Sequence, residues 1–403
     1  MKILVLNAGS SSLKYKLFDM EHNDILAFGL VEKIGEEKGH LTYEPKNKPA
    51  YEEHRHLKNH QEALEKVTSL LLDTEKGVIK NVNEVQAIGH RVVHGGENFK
   101  TPSLVNQDVL SSIEKMIPLA PLHNPPNLQG LKVAMGLFPK VPQVAVFDTA
   151  FHQTMPDYAF RYALPENLYE QHGLRRYGFH GTSHHYISKK YCAYLNKNID
   201  SFNGITLHLG NGCSMAAIKN GKSMDTTMGM TPLEGLVMGT RCGDIDPAIP
   251  FFLSNQLNMP LKEIDVLLNK KSGLKGLCQK NDVRDIIALK EKGDKSALLA
   301  LKIYTYRIKK YIGAYSALLG PIDAILFTAG VGENSPLIRE MALQDLNHLG
   351  ISLDKEKNEA AQRGTVCEIQ EDGQKIKILI IPTDEEREIA EQTKEVLSNK
   401  NLT

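Results

Sequence analysis

No stretch of this 403-residue sequence approaches the ~20 consecutive apolar positions that a membrane-spanning helix requires, so no membrane role is expected. Nor is there an excess of charge. Lys and Arg together number 48, as do Asp and Glu, which removes the basic surplus that nucleic-acid or membrane-surface binding ordinarily needs. The five cysteines, Cys192, Cys213, Cys242, Cys278 and Cys367, are scattered and form no CxxC pair. Neither a disulfide framework nor a zinc knuckle is expected, and reduced thiols point to the cytoplasm. The apolar run behind Lys2 is too short for a secretory leader and reads as a buried first strand.

A Walker phosphate loop is missing as well. Such a loop reads GxxxxGK[ST], whereas "NAGSSSLKYK" has Gly9 with no second glycine and places Lys14 in an alternating segment. Leu13, Tyr15 and Leu17 alternate with Lys14 and Lys16 at the period of a strand. The stretch therefore reads as strand Lys2–Leu6, polar turn Asn7–Ser12 and strand Leu13–Phe18. Its tip either holds phosphate through hydroxyls and turn N–H groups or is simply a Ser-rich turn.

What is present fits a globular protein: 41% hydrophobic and 24% charged residues, at a length that calls for two domains. A second strand–turn–strand unit, "GITLHLGNGCSMAAIK", follows about 200 residues after the first, with Gly210, Asn211 and Gly212 at its tip. Two such hairpins point to a duplicated fold of the kind seen in actin, sugar kinases and heat-shock ATPases. A third glycine site, Gly330-Val331-Gly332-Glu333-Asn334, follows the apolar run Ala324–Phe327 and reads as a turn. Ser335-Pro336 after it starts a helix.

Several polar groups sit at the ends of apolar runs, where α/β sheets place binding residues. They are Arg91 in "GHRVVHGGE", Asp148 in "VFDTAFH", His180 in "YGFHGTSH" and Arg241 in "MGTRCGDIDP". Thr182 or Ser183 is the expected cap of the helix after His180. Arg91 and Arg241 adjoin glycine turns, where a guanidinium can fork onto phosphate or carboxylate. Most of the 15 histidines need no role. His54, His56 and His60 in "YEEHRHLKNH" read as solvated surface, and His184 and His185 as helix-face residues.

These motifs, together with "HLGNGCS", "FTAGVGENS" and "IPTDEE", run in order from residue 3 to about 386, and the chain resembles the acetate and butyrate kinase family of the actin-like ATPase superfamily. The resemblance implies an α/β, duplicated actin-like (ribonuclease H-like) fold with nucleotide in the interdomain cleft. Domain one would cover 1–150, completed by a C-terminal helix 384–403, and domain two 151–383. The implied reaction is reversible transfer of the ATP γ-phosphoryl to acetate, giving acetyl phosphate and ADP. Propionate or butyrate is the alternative acceptor.

By the same resemblance Asn7 and Glu385 hold Mg²⁺, or Mn²⁺ in its place. Lys14 lies near the nucleotide phosphates, and His208, Leu209, Gly210, Asn211 and Gly212 form the second phosphate-facing turn. Asp282, Val283 and Arg284, with Gly330, Val331, Gly332, Glu333 and Asn334, enclose adenosine. Arg91, Asp148, His180 and Arg241 line the transfer site. Arg91, Val93, Leu122, Phe179 and Pro232 bind the acid, the last four around its methyl group. Asp384 stands where some family members carry Asn, which adds a carboxylate beside Glu385. A homodimer through domain two is implied as well.

Acetate is ionised at neutral pH, so its phosphorylation needs no general base. An orienting or metal-water role is therefore expected of Asp148, and a positioned donor rather than a phosphohistidine is expected of His180. A chaperone or filament protein would share the hairpins but has no use for paired arginines at a small-acid pocket. The final segment shows a Thr383-x-x-Glu386 capping box and an apolar stripe of Ile389, Ala390, Thr393, Val396 and Leu397.

Overall fold

The first apolar run is buried on both sides because it lies inside a sheet covered on both faces. In the computed structural model, which describes residues 1–400, the chain divides into two units. One comprises residues 1–151 together with the segment from Asp384 onward, and the other comprises His152–Thr383.

The first unit contains β1 (Lys2–Ala8), β2 (Ser12–Asp19), β3 (Asp24–Glu32), β4 (Gly39–Pro45), β5 (Tyr51–Arg55), β6 (Ala87–Val92), β7 (Ser103–Leu104) and β8 (Gln143–Phe147). They form one sheet in the order β5-β4-β3-β2-β1-β6-β8-β7. Strands β1, β6 and β8 run parallel, while β1 to β5 form an antiparallel meander.

Alternation divides β1 between two cores. Leu4 and Leu6 join Leu13, Tyr15 and Leu17 against Leu64 and Val67 of the helix His60–Leu71 and Ala134 of the helix Asn124–Leu137. Ile3 and Val5 face the other way, with Phe18, Val144 and Val146, onto Ile389 and Ala390 of the last helix, Glu385–Lys400. The same alternation sends the adjacent Leu17 and Phe18 of β2 to opposite faces. The last helix lies close to β6: a methyl group added to Gly89 would come within 2.5 Å of Thr393 Oγ1 and 2.8 Å of Ile389.

The second unit contains β9 (Gly204–Leu209), β10 (Cys213–Lys219), β11 (Lys222–Thr226), β12 (Ala324–Thr328), β13 (Cys367–Glu368) and β14 (Lys377–Ile380), in the order β11-β10-β9-β12-β14-β13. Laid beside β3-β2-β1-β6-β8-β7, this order matches strand for strand. In both units the first three strands are antiparallel, the next two join in parallel, and a short antiparallel strand closes the edge. The expected duplication is thus a property of the topology. Only β4 and β5 lack a counterpart in the second sheet.

Three local expectations are corrected. The helix after His180 spans Gly181–Tyr194 and is entered through His180 itself, left-handed at φ 57°, so Thr182 and Ser183 lie inside its first turn. Residues 330–334 are not a turn but part of a short helix, Ala329–Asn334, entered through Ala329 at φ 64°. The last helix is capped by Asp384, whose Oδ1 accepts the Arg387 N–H at 3.1 Å. The Thr383 hydroxyl meets Ser183 Oγ at 3.0 Å instead, and Glu386 pairs with Lys14 at 2.7 Å.

Candidate active site

In the first unit, the candidate residues gather at the C-terminal ends of the parallel strands. Arg91 is the next-to-last residue of β6 and Asp148 directly follows β8. Arg91 directs Nε and Nη2 at one oxygen of the buried Asp148, at 2.9 and 2.7 Å. Its Nη1 lies 3.6 Å from Glu385 Oε2. Burial works against the guanidinium charge, but Asp148, Glu385 and Glu386 outweigh it and hold the Arg91 pKa above its ordinary value.

Lys14 and Lys16, on the same face of β2 as Phe18, are taken up by acids at the start of the last helix. Lys14 meets Glu386, and Lys16 meets Asp384 at 2.9 Å and Glu386 at 3.4 Å. Burial raises the Glu386 carboxyl pKa, yet the two lysines pull it below the usual carboxylate value. Asp384 is thereby engaged with Lys16, which leaves Glu385 distinct. Its Oε1 is buried and has no hydrogen-bond partner, a costly state for a carboxylate oxygen. A hard divalent cation would satisfy it. Asn7 near the end of β1 and Glu385 at the start of the helix packed on that strand offer the oxygen donors Mg²⁺ prefers.

The loop after Arg91 is held by two asparagines that sequence reasoning passed over. Asn127 Oδ1 accepts Val93 N–H at 3.0 Å and its amide donates to Ala8 O at 2.8 Å. Asn124 exchanges hydrogen bonds with the His94 backbone at 3.1 and 3.0 Å. The "HNPPN" run, with both asparagines at one helix start, was the available signal. Leu122 lies just before it and is 52% exposed.

In the second unit the turn Gly210–Gly212 sits between the candidate transfer and nucleotide residues. A methyl group built on Gly212 would lie 3.5 Å from Arg241 Nη1 and 3.7 Å from His180 Nε2. One on Gly239 would overlap Asn211 Oδ1, so only glycine leaves room for that amide. Arg241 donates from Nη1 to Pro232 O at 2.9 Å and makes no ion pair among the described residues. Burial accordingly pushes its pKa down.

His180 stacks on His208 with ring centres 4.1 Å apart, and its Nδ1 lies 2.9 Å from Ser214 Oγ. The same hydroxyl is 2.8 Å from His184 Nε2, while His208 Nδ1 lies 2.8 Å from Ser183 Oγ. One hydroxyl has one proton, so at least one of the two imidazoles at Ser214 must donate to it. His184 was read as an ordinary helix-face residue. It is fully buried, which drives its pKa well down and keeps it neutral. Phe179 is buried, and its carbonyl lies 3.0 Å from His152 Nε2.

Beyond the turn lies a cavity of about 820 Å³, within the range of small-molecule sites. Its wall brings together Gly210, Asn211, Asp282, Val283, Arg284, Gly330, Val331 and Asn334. Gly239, Leu274, Asn281, Ile287, Glu340 and Arg363 also line it and were not anticipated. Asp282 caps the helix Val283–Glu291 and is held down to about 2 by its hydrogen bonds with Arg284. Gly332 and Glu333 do not line it. Glu333 Oε1 accepts the Ala329 and Thr383 N–H groups at 2.9 and 3.1 Å. The Gly332 carbonyl accepts from buried Arg339 at 2.8 Å.

Residues 2–391 match the model of the acetokinase family. The chain belongs to the acetokinase family. It is 54% identical over 399 residues to an acetate kinase of Helicobacter pylori, covering 98% of this chain and 99% of that one. Among solved structures, a Porphyromonas gingivalis acetate kinase superposes with a TM-score of 0.93 at 46% identity, over 98% of this chain and 99% of that one. A propionate kinase from Francisella tularensis superposes with a TM-score of 0.90 at 41% identity, with the same coverage. Acetokinase membership makes this chain a kinase with the duplicated actin-like ATPase fold.

Proposed function

We propose that this acetokinase-family chain transfers the γ-phosphoryl group of ATP to acetate, reversibly and with Mg²⁺. The observation that carries the reading is a partly buried, unpaired Arg241 beside His180 and a glycine turn, next to a nucleotide-sized cavity in the same unit. An acetate oxygen attacks phosphorus, the bond from phosphorus to the ADP oxygen breaks in line, and its electron pair leaves with ADP. Phosphoryl transfer asks for position and charge neutralisation rather than covalent help. Arg241 and a donor from His180 supply these to the transferring phosphoryl. Arg91 steers the carboxylate, and Asp148, accepting two hydrogen bonds from Arg91, orients that arginine rather than removing a proton. Asn7 and Glu385 would hold the Mg²⁺, which supplies charge neutralisation on the phosphates when bound. The cavity residues take adenosine.

Trapping acyl phosphate with hydroxylamine, with acetate, propionate and butyrate offered in turn, tests the reading. A higher kcat/KM for acetate is expected. ATP hydrolysis without any acyl phosphate would overturn it. A propionate kinase is the second reading, favoured by the Francisella structure, and a preference for propionate would select it. A methylene is worth only ~1–3 kcal/mol to an apolar pocket.

A cytoplasmic homodimer is part of the same proposal. Five free cysteines support the compartment. The helix Ile249–Leu257 buries none of its residues and leaves Phe251 67% and Phe252 58% exposed, an apolar face that a second copy would cover. Sedimentation should give a dimer that dissociates more readily in F251S/F252S.

A further inference from the structure

The two strands without a counterpart in the second sheet carry a cluster that the kinase reaction does not use. His40 on β4 is registered directly opposite His54 on β5 and, on its other side, opposite Glu32 on β3. The three therefore form one row across the outer strands. The imidazoles stack with ring centres 4.6 Å apart. Glu52, two residues before His54 and on the same face of β5, brings Oε1 to 2.6 Å from His40 Nε2 and 3.7 Å from His54 Nε2. One ligand atom each from His40, Glu52 and His54 falls within 4.8 Å of the others.

We propose that this edge binds a borderline divalent cation such as Zn²⁺ or Ni²⁺. Two imidazoles with one carboxylate are a donor set for such ions and not for Mg²⁺. Donors on one tetrahedral zinc lie about 3.3 Å apart, given bonds of ~2.0–2.1 Å. The separations here bracket that value, and the side chains need only small rotations because Glu52 and His54 are mostly exposed. Glu32 supplies a further element. Its Oε2 lies 3.6 Å from His40 Nδ1, just outside hydrogen-bond reach. In the free site Nε2 donates to Glu52 Oε1, and metal binding would displace that proton, shift the tautomer to Nδ1–H and draw Glu32 in to accept it. A carboxylate behind a metal-binding histidine does this in established metal sites. Water completes the coordination. The bound ion ties β5 to β4 across the sheet edge.

Cobalt(II) is the direct probe, titrated into the full chain with excess Mg²⁺ present to fill oxygen-donor sites. The expected result is one equivalent per chain with the visible band of four-coordinate cobalt, abolished when Zn²⁺ displaces it. Glu32→Gln should weaken binding by about tenfold, within the usual ~10–100-fold for such partners. His40→Ala and His54→Ala should weaken it further and remove the band. His56→Ala, altering a histidine whose Nδ1 sits on the Glu36 carbonyl, should bind as wild type does. All four variants should retain wild-type kinase activity, which reports that they are folded. No four-coordinate band in the wild type, or unchanged cobalt binding in H40A/H54A, would overturn the proposal.

Discussion

Two arginines, one in each unit, are handled in opposite ways. Arg91 is held by carboxylates, whereas among the described residues Arg241 donates only to a carbonyl and a sulfur, Pro232 O at 2.9 Å and Met238 Sδ at 3.7 Å. The surroundings differ in the same sense. Around Arg91, the cations Arg91, Lys14, Lys16 and Arg387 face the carboxylates of Asp148, Asp384, Glu385 and Glu386. The charges balance, yet one carboxylate oxygen of Glu385 is still unsatisfied. The Arg241 region has a cation and imidazoles and no acid on the arginine. The first region is therefore suited to hold a metal cation and a pre-oriented guanidinium, the second to receive a phosphoryl anion.

The largest expected effect breaks the first half of this comparison. Arg91→Ala leaves Asp148, only 1% exposed, buried without its main partner, and should cost about 3–5 kcal/mol of stability, measured by denaturant unfolding. Arg241→Ala leaves no stranded acid. It should unfold at the wild-type midpoint while kcat falls about 10²–10³-fold, measured with the acyl-phosphate trap. If both variants lose stability alike, the contrast fails.

Acid should strain both units together. His90, on β6 beside Arg91, and His152 in the second unit are buried, and burial depresses each to about 4. Between pH 6.5 and 4 the unfolded chain takes up protons that the folded chain refuses. The contribution of these two histidines is therefore full above about 6.5, falls as pH drops through this window and levels below about 4, by roughly 3 kcal/mol per histidine. His90→Gln should flatten its share of the pH–stability curve. The smallest effect sharpens the role of Asp148. Asp148→Asn should lower kcat by about tenfold, with the pH profile unchanged, because an amide still accepts from Arg91 and no substrate proton is removed. Recovery of activity at raised pH would show a base instead.

The hairpins and their polar tips were readable in the sequence because each signal is local: alternation in Leu13–Leu17, a glycine turn at 210–212, an apolar stripe from Ile389 to Leu397. The kind of cap was not. Thr182 and Ser183 look like caps, but the left-handed backbone of His180 starts the helix two or three residues earlier. Ser183 is then free to hold His208 and Thr383. Likewise Gly330–Asn334 reads as a turn because glycines usually mark one, yet Ala329 adopts the left-handed conformation and the chain enters a helix at once. Glu333 then satisfies N–H groups on both sides of that junction. Asn124, Asn127, Ser214 and His184 stayed hidden for another reason. Their partners lie 11 to 119 residues away in the chain, a relation that only the tertiary register creates.

The last helix has a consequence for the order in which the protein is made. It closes one face of the first sheet, covering Ile3, Val5, Phe18, Val144 and Val146, although it belongs to the final stretch of the chain. The second unit is continuous from His152 to Thr383 and can complete its core as soon as it has left the ribosome. The strands of the first unit emerge before the second unit, yet the helix that covers them emerges after it. Throughout synthesis of the intervening segment, their sheet presents a bare apolar face, the kind of surface on which nascent chains aggregate and chaperones act.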